Sequence, residues 1–281
     1  METSFISTGL RLLAAGVLAL GLAVAGAGCG GRASAVCSAD PSPSSDAVLI
    51  DLALDANADG TPFAIGANLT SANGLDYKVS MLRFYLSHVE MVDGSGVARP
   101  AVLADAGGVP LKYGVTLVDF ANPESQLIHV LAPPGSYESV SVGVGVPRDC
   151  SGGVGILNHE NASEQTPPLD VDSDMYWGWD PGYVHFKIEG RVNAPNGARS
   201  FAFHLGDDKR YTTVSIPAKV DVAAPTHHHL HLDINRLFVS PSGDPTPDMT
   251  GATTSNNVHG GVEADTLANN LKMSGVMSWN D

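Results

Sequence analysis

Residues 183–190 read YVHFKIEG, and this short run indicates the fold class. Successive side chains of a β-strand point to opposite faces, so Val184, Phe186 and Ile188 share one face while His185 and Lys187 share the other. Such alternation is typical of a strand with one face in an apolar core.

The segment RSFAFHLG, residues 199–206, repeats this pattern with Phe201, Phe203 and Leu205. His204 therefore faces away from the predicted core face. It is either a surface side chain or one presented to a site, and its position on the strand does not choose between them.

Short apolar runs of the same kind recur along the chain, separated mostly by Gly, Pro, Asn or Asp. Many short strands with turns between them favour a β-sandwich or barrel over a doubly wound α/β fold. Only residues 261–273 have the pattern of a short helix. We therefore predict an all-β, β-sandwich-like single domain over residues 46–281 with one short C-terminal helix. The other candidate strands are AVLIDLAL, VSMLRFYLSHVEMV, GVTLVDF, SQLIHVLA, YESVSVGVGVP, YTTVSIPA and HHLHLDI.

The N-terminal segment has the features of an export signal. Residues 1–28 carry one basic residue, Arg11, followed by an apolar run that ends in small residues, which is typical of a signal peptide. Cys29 follows AVAGAG and resembles the lipid-attachment cysteine of bacterial lipoproteins. Gly26 stands where that signal usually has Leu, so ordinary cleavage near Ala25 or Ala27 is the alternative.

Residues 29–45 are rich in Ser, Pro, Gly and Ala, which predicts a tether between anchor and domain. We expect a protein of the bacterial cell envelope, periplasmic or an outer-membrane lipoprotein, that meets the membrane only through its lipid. The chain has three cysteines. If Cys29 carries lipid, Cys37 and Cys150 are left to form a disulfide.

Composition and motifs exclude several functions. Lysine and arginine total 15 against 30 acidic residues, a net charge of −15, so nucleic acid is not an expected partner. No serine nucleophile elbow, phosphate loop or Cys-x-x-Cys pair is present, and we predict that the protein is not an enzyme. DANADG at 55–60 begins like a calcium loop, but Gly66 occupies the twelfth position, so a turn is the better interpretation.

Histidine is the residue type that points to chemistry, with ten in the chain. In HHHLHLD, residues 227–233, strand alternation places His227, His229 and His231 with Asp233 on one face. Imidazoles two apart on a strand are close enough to hold one metal ion, although a solvated strand face is an equally fair interpretation. His159 and His259 lie in predicted loops, where binding sites concentrate.

Several segments occur in an order that resembles the MbnP family, a group of exported copper-binding proteins associated with methanobactin operons. They are LRFYLSHVEMVDGSG, APPGSYESVSVGVGVP, LNHE, MYWGW with GYVHFKIEG, FHLG, HLDINRLF and ADTLANNLKM, and the resemblance as a whole covers about residues 47–276. One branch of the family has a cysteine just after FHLG, where this chain reads DDKRY.

The resemblance implies copper bound by histidines and by a tryptophan that a di-haem partner enzyme, of the cytochrome c peroxidase and MauG type, oxidises to kynurenine. His204 and His259 are the implied ligands, with His159 in reserve, and Trp177 or Trp179 is the implied modified residue. His229 and His231 are expected to form a separate second metal site. The alternative is an envelope binding or structural module that keeps the scaffold without the metal.

Overall fold

Alternating apolar residues form β-strands throughout the computed structural model, which describes residues 42–149, 157–178 and 180–280. Within those ranges the chain forms fifteen strands. They are β1 (Val48–Ala58), β2 (Thr61–Pro62), β3 (Leu69–Thr70), β4 (Asp76–Val92), β5 (Ala98–Ala104), β6 (Val115–Asp119), β7 (Leu127–Ala132), β8 (Gly135–Val144), β9 (Tyr176–Gly178), β10 (Gly182–Ala194), β11 (Gly197–Gly206), β12 (Thr212–Val222), β13 (His227–Asp233), β14 (Asn257–Val258) and β15 (Met277–Asn280).

Two α-helices accompany the strands in the described part of the chain: α1 (Ile234–Leu237) and α2 (Gly261–Asn270). The predicted all-β fold with one short C-terminal helix is confirmed, since α2 is that helix and α1 is a single turn. Strands of two or three residues, such as β2, β3, β9 and β14, were not predicted because they are too short to show alternation.

The strands form one curled sheet in the order β14-β11-β10-β4-β5-β7-β1-β13-β15, with the other strands branching from this path. The long strand β4 is central because it pairs in turn with β10, β6, β8 and β5. Strand β5 also pairs with β7 and so joins the two halves of the sheet. The pairs β1/β13 and β11/β14 are parallel, and each joins segments far apart in sequence.

The concave space of the sheet holds the main apolar core. Phe186 and Ile188 from β10 lie in it beside Phe203 and Leu205 from β11, all nearly inaccessible to solvent. The faces predicted from YVHFKIEG and RSFAFHLG are therefore the core faces. Burial of such large side chains stabilises the fold by about 1.5–3 kcal/mol for each residue.

A second, smaller core lies beneath the segment 157–178. It contains Leu157, Leu169 and Met175 from that segment, packed against Tyr85 of β4 and Tyr183 of β10. Tyr85 and Tyr183 meet edge to face with ring centroids 6.0 Å apart. These contacts fix the loop that precedes β9.

Several predicted features lie outside the described residues: the signal peptide (1–28), most of the tether, Cys29, Cys37, Cys150 and Trp179. The described residues all belong to one compact unit. None of the helices in the described ranges combines the length and apolar character needed to cross a bilayer.

Gly190 offers a test of the sheet geometry, because an added Cβ there would overlap the backbone carbonyl oxygen of Lys78 and lie 2.5 Å from the Phe201 ring. We expect Gly190→Ala to lower the free energy of unfolding by about 3 kcal/mol, the range of an overpacked core. Gly94→Ala is the matched control, since its nearest neighbour would be Glu138 Cγ at 3.6 Å. Urea denaturation of both variants is the measurement, and equal losses would contradict the geometry.

His185 offers a second test, through the pH dependence of stability. It is fully buried, with Nδ1 accepting from the Val146 amide at 3.1 Å and Nε2 lying 3.1 Å from the carbonyl oxygen of Asp207. Burial lowers the pKa of His185 to about 4, although the hydrogen bond to Asp207 opposes the shift. The ring is therefore neutral in the folded protein at neutral pH.

A histidine in the unfolded chain has a pKa near 6.5. Between about pH 6.5 and pH 4 the unfolded chain therefore binds a proton at this residue that the folded chain does not bind. Stability contributed by the neutral ring is therefore present above pH 6.5 and lost as the pH falls through this window. We expect the parent to lose about 3 kcal/mol more than His185→Gln between pH 7 and pH 4 in urea denaturation. Parallel pH profiles for the two proteins would refute the assignment.

Candidate metal centre

Trp177 lies on β9, a strand of three residues held against the start of β10. Tyr176 pairs with Tyr183 in that short ladder. Met175, just before the strand, is fully buried in the second core, whereas Trp177 is half-buried at its rim. A tryptophan at this position packs on one side and remains reachable from outside on the other.

Strand β11 places His204 and Gly206 on the face opposite the main core. A Cβ added to Gly206 would overlap the six-membered ring of Trp177. The glycine thus leaves room for the indole to lie across the backbone of β11. Gly206 lies only two positions after His204, so Trp177 and His204 become neighbours, with ring centroids 6.2 Å apart.

His259 reaches the same place through the parallel pairing of β14 with β11. Ala202 pairs with Asn257 and Phe203 with Val258, so the next residues along the two strands are His204 and His259. Their ring centroids are 4.5 Å apart. The Trp177 and His259 rings are 5.9 Å apart, so three aromatic side chains from three separate segments form one group.

Glu189 orients the ring of His204. Its Oε1 lies 2.7 Å from His204 Nε2, and because a carboxylate only accepts, Nε2 is the nitrogen that carries the proton. The nearly buried Lys187 ammonium lies 3.8 Å from the same Oε1 and 2.8 Å from Asp174 Oδ2. The Nε2 side of the His204 imidazole therefore contacts a charged network, the arrangement that orients metal-ligating histidines in proteins.

The other ring nitrogen of His204, Nδ1, is buried and has no hydrogen-bond partner. Among the described residues only one other buried side-chain nitrogen lacks a hydrogen bond, Nε of Arg210, and it lies 2.7 Å from the carboxylate of Asp265. His204 Nδ1 has no such compensation. Since a buried polar atom left without a partner costs about 1–3 kcal/mol, Nδ1 is the atom in this group that most needs a ligand.

The electrostatics keep His204 in the form that binds metals. Burial lowers the pKa of His204 below its ordinary value, the hydrogen bond that His204 donates to Glu189 opposes that shift, and the charge of His259 lowers the pKa further. The net effect is a neutral imidazole at neutral pH. With Nε2 protonated, Nδ1 carries a free lone pair.

The remaining predicted ligands lie elsewhere. His159 Nε2 is 3.0 Å from Asp208 Oδ1, and within the described residues its ring makes no contact with those of His204 or His259. His229 and His231 lie on β13, where their ligand atoms and a carboxylate oxygen of Asp55 are close enough to hold a metal ion. The structure therefore unites Trp177, His204 and His259 and separates them from the β13 histidines.

Two residues that contact this group of rings were not identified from the sequence: Glu189 and Gly206. Their signal was available in the hairpin between β10 and β11, which turns at Ala194–Gly197. Counting back from this turn pairs Lys187 with His204 and sets Glu189 two residues away on the same face. Gly206 lies two residues after His204, also on that face.

Comparison with known proteins agrees with this fold. A family model, MbnP, matches residues 48–260. A solved structure, MbnP from Methylosinus trichosporium, is similar with a TM-score of 0.53 and 22% sequence identity, over 76% of this chain and 81% of that chain. This likeness supports the fold alone, and no curated protein matches the sequence. Because the family model spans most of the chain, the protein belongs to the MbnP family.

Proposed function

We propose that the protein is an exported copper-binding protein that holds the metal between His204, His259 and an oxidised Trp177. The observation that carries this proposal is the buried, unpartnered Nδ1 of His204 within a group of three aromatic rings. The donor set fits copper, because imidazole is one of its preferred ligands. Glu189 supplies the carboxylate that fixes the orientation of the ligand ring.

Trp177 needs chemical modification before it can contribute a donor atom. The indole nitrogen donates a hydrogen bond but has no lone pair for a metal. Conversion to kynurenine is a four-electron oxidation that cleaves the Cγ–Cδ1 bond and adds one oxygen atom to each carbon. Water then hydrolyses the resulting Nε1–Cδ1 formamide and releases Cδ1 as formate, which leaves an aryl amine with a free lone pair. The oxidant in this proposal comes from a di-haem partner enzyme of the cytochrome c peroxidase and MauG type.

The position of Trp177 supports this role. It is half-buried, so one side of the ring is reachable by an oxidising partner, and the other side is fixed against Gly206 beside the two histidines. The protein would be the substrate of the oxidising enzyme and a carrier of copper in the cell envelope, rather than an enzyme itself. The alternative, a scaffold without metal, leaves the lone pair of His204 Nδ1 unexplained.

Mass spectrometry tests the modification. In protein isolated from its native envelope with the partner enzyme present, the tryptic peptide that ends at Lys187 should carry kynurenine at Trp177. Trp279, which packs against His228 with ring centroids 4.9 Å apart, should be unmodified and serves as the internal control. Unmodified Trp177 in the native protein, or modification at Trp179 alone, would contradict the proposed target.

Substitution of the ligands tests metal binding. In modified protein we expect His204→Ala with His259→Ala to weaken copper binding at least about tenfold, as loss of ligands or their supporting groups does in other metal sites. Because His259 is exposed, His259→Ala alone should leave the fold intact. A loss of copper in that variant therefore reports the loss of a ligand. His129→Ala is the matched control, because His129 also contacts a carboxylate, Asp51, at 2.7 Å but lies on a different strand. Competition titration measures the copper affinity, and an undiminished affinity in the double variant would refute the assignment of these ligands.

Trp177→Phe distinguishes a ligand from a packing residue. Phenylalanine retains an aromatic ring over Gly206 but cannot form kynurenine. If Trp177 supplies a donor, the variant should lose high-affinity copper with little change in melting temperature. If it keeps copper and only melts earlier, Trp177 is a packing residue and the scaffold without metal is favoured.

A further inference from the structure

The outer face of β1 and β13 carries a second cluster of metal-ligating side chains. Leu52 and Leu54 of β1 and Leu230 and Leu232 of β13 are buried, so the alternate residues of both strands face outward. On β13 these are His227, His229, His231 and Asp233, and on β1 they include Asp51 and Asp55. Alternation thus lines one exposed face with imidazoles and carboxylates.

Parallel pairing sets the register between the two strands. Ala53 lies opposite His229, and Asp55 lies opposite His231. Because Ala53 has a small side chain, it leaves the space beside His229 open to the carboxylate of Asp55. Asp55 Oδ2 is 2.9 Å from His229 Nδ1 and 4.0 Å from His231 Nδ1.

The two imidazoles lie nearly parallel, with ring centroids 6.1 Å apart and an angle of 15° between their planes. One ligand atom from each of the three residues falls within 4.8 Å of the other two. Ligands in a tetrahedral zinc site lie about 3.3 Å apart when each is about 2.05 Å from the metal. Asp55 Oδ2 and His231 Nδ1, 4.0 Å apart, must therefore approach each other, and both side chains are partly accessible to solvent.

We propose that Asp55, His229 and His231 form a second metal site that takes a divalent first-row cation such as Zn²⁺. Two imidazoles and one carboxylate are a donor set suited to that class of ion. The remaining coordination positions face solvent, because Asp55 is exposed and both histidines are only half-buried. The site is thus open to ion entry and to exchange of its other ligands.

Charge supports the assignment. The sequence carries a net charge of −15, which raises the local concentration of cations around the protein. His229 and Asp55 are joined by a hydrogen bond, and a bound cation would take the place of the shared proton. The site lies on strands other than those that carry His204 and His259, so the two sites can be tested separately.

The Asp51 and His129 pair on the same face is a comparison that separates a metal site from an ordinary polar surface. It has the same kind of contact, with Asp51 Oδ1 2.7 Å from His129 Nδ1. Within the described part of the chain, no third ligand atom joins this pair at the spacing found around Asp55. The pair is therefore the internal control for surface histidines that bind zinc weakly.

The test is isothermal titration of Zn²⁺ into the chelator-treated mature protein and three variants. Asp55→Asn keeps the size of the side chain and removes its charge, and His231→Ala removes one imidazole. We expect each to weaken the zinc affinity of this site by about tenfold or more. His129→Ala should leave the affinity unchanged, and metal-free melting curves should show that all variants remain folded.

Full affinity in Asp55→Asn and His231→Ala, or an equal loss in His129→Ala, would overturn the proposal. Repeating the titration in His259→Ala separates it from the copper site. Retention of the zinc site in that background supports a site independent of His259, whatever the copper experiment shows. Loss of zinc there would place the ion at His259 and refute the second site.

Discussion

The candidate copper site depends on the register between β10 and β11. The pairing of Ile188 with Phe203 puts both side chains in the main core, and the next pair along the ladder, Lys187 with His204, faces the other way. A slip of one residue would move the apolar set to the outside and the site into the core. The energy that buries the core side chains therefore also fixes where His204 points.

The outer face of that hairpin is polar but not solvated. Lys187 and His204 are both buried there, beneath Trp177 and the segment before it. Charges in such surroundings need partners, and Glu189 serves Lys187 and His204 at once. After these contacts are made, the atom left over is His204 Nδ1. A site with one lone pair unsatisfied is prepared for a ligand that brings a positive charge.

Both proposed metal sites are completed by a parallel strand pair. Strand β14 brings His259 beside His204 although 55 positions separate them in the sequence, and β13 brings His229 and His231 beside Asp55 from an even greater distance along the chain. Parallel pairing requires a long connection between its strands, so each site combines residues from remote segments. The two halves of the curled sheet thereby carry separate sites on scaffolds that share one core.

The sequence by itself determined most of the longer strands, their core faces and the alternation that puts His229 and His231 on one face, because these depend only on a two-residue period. The resemblance to the MbnP family added the ligand roles of His204 and His259 and the expectation that Trp177 or Trp179 is modified. Tertiary structure alone decided that Asp55 joins the second cluster and that His259 lies beside His204, since both follow from which distant strands pair and in what register. Local sequence pattern carries no information about which distant segments pair. Individual ligand residues could therefore be predicted from the sequence, but their assembly into sites could not.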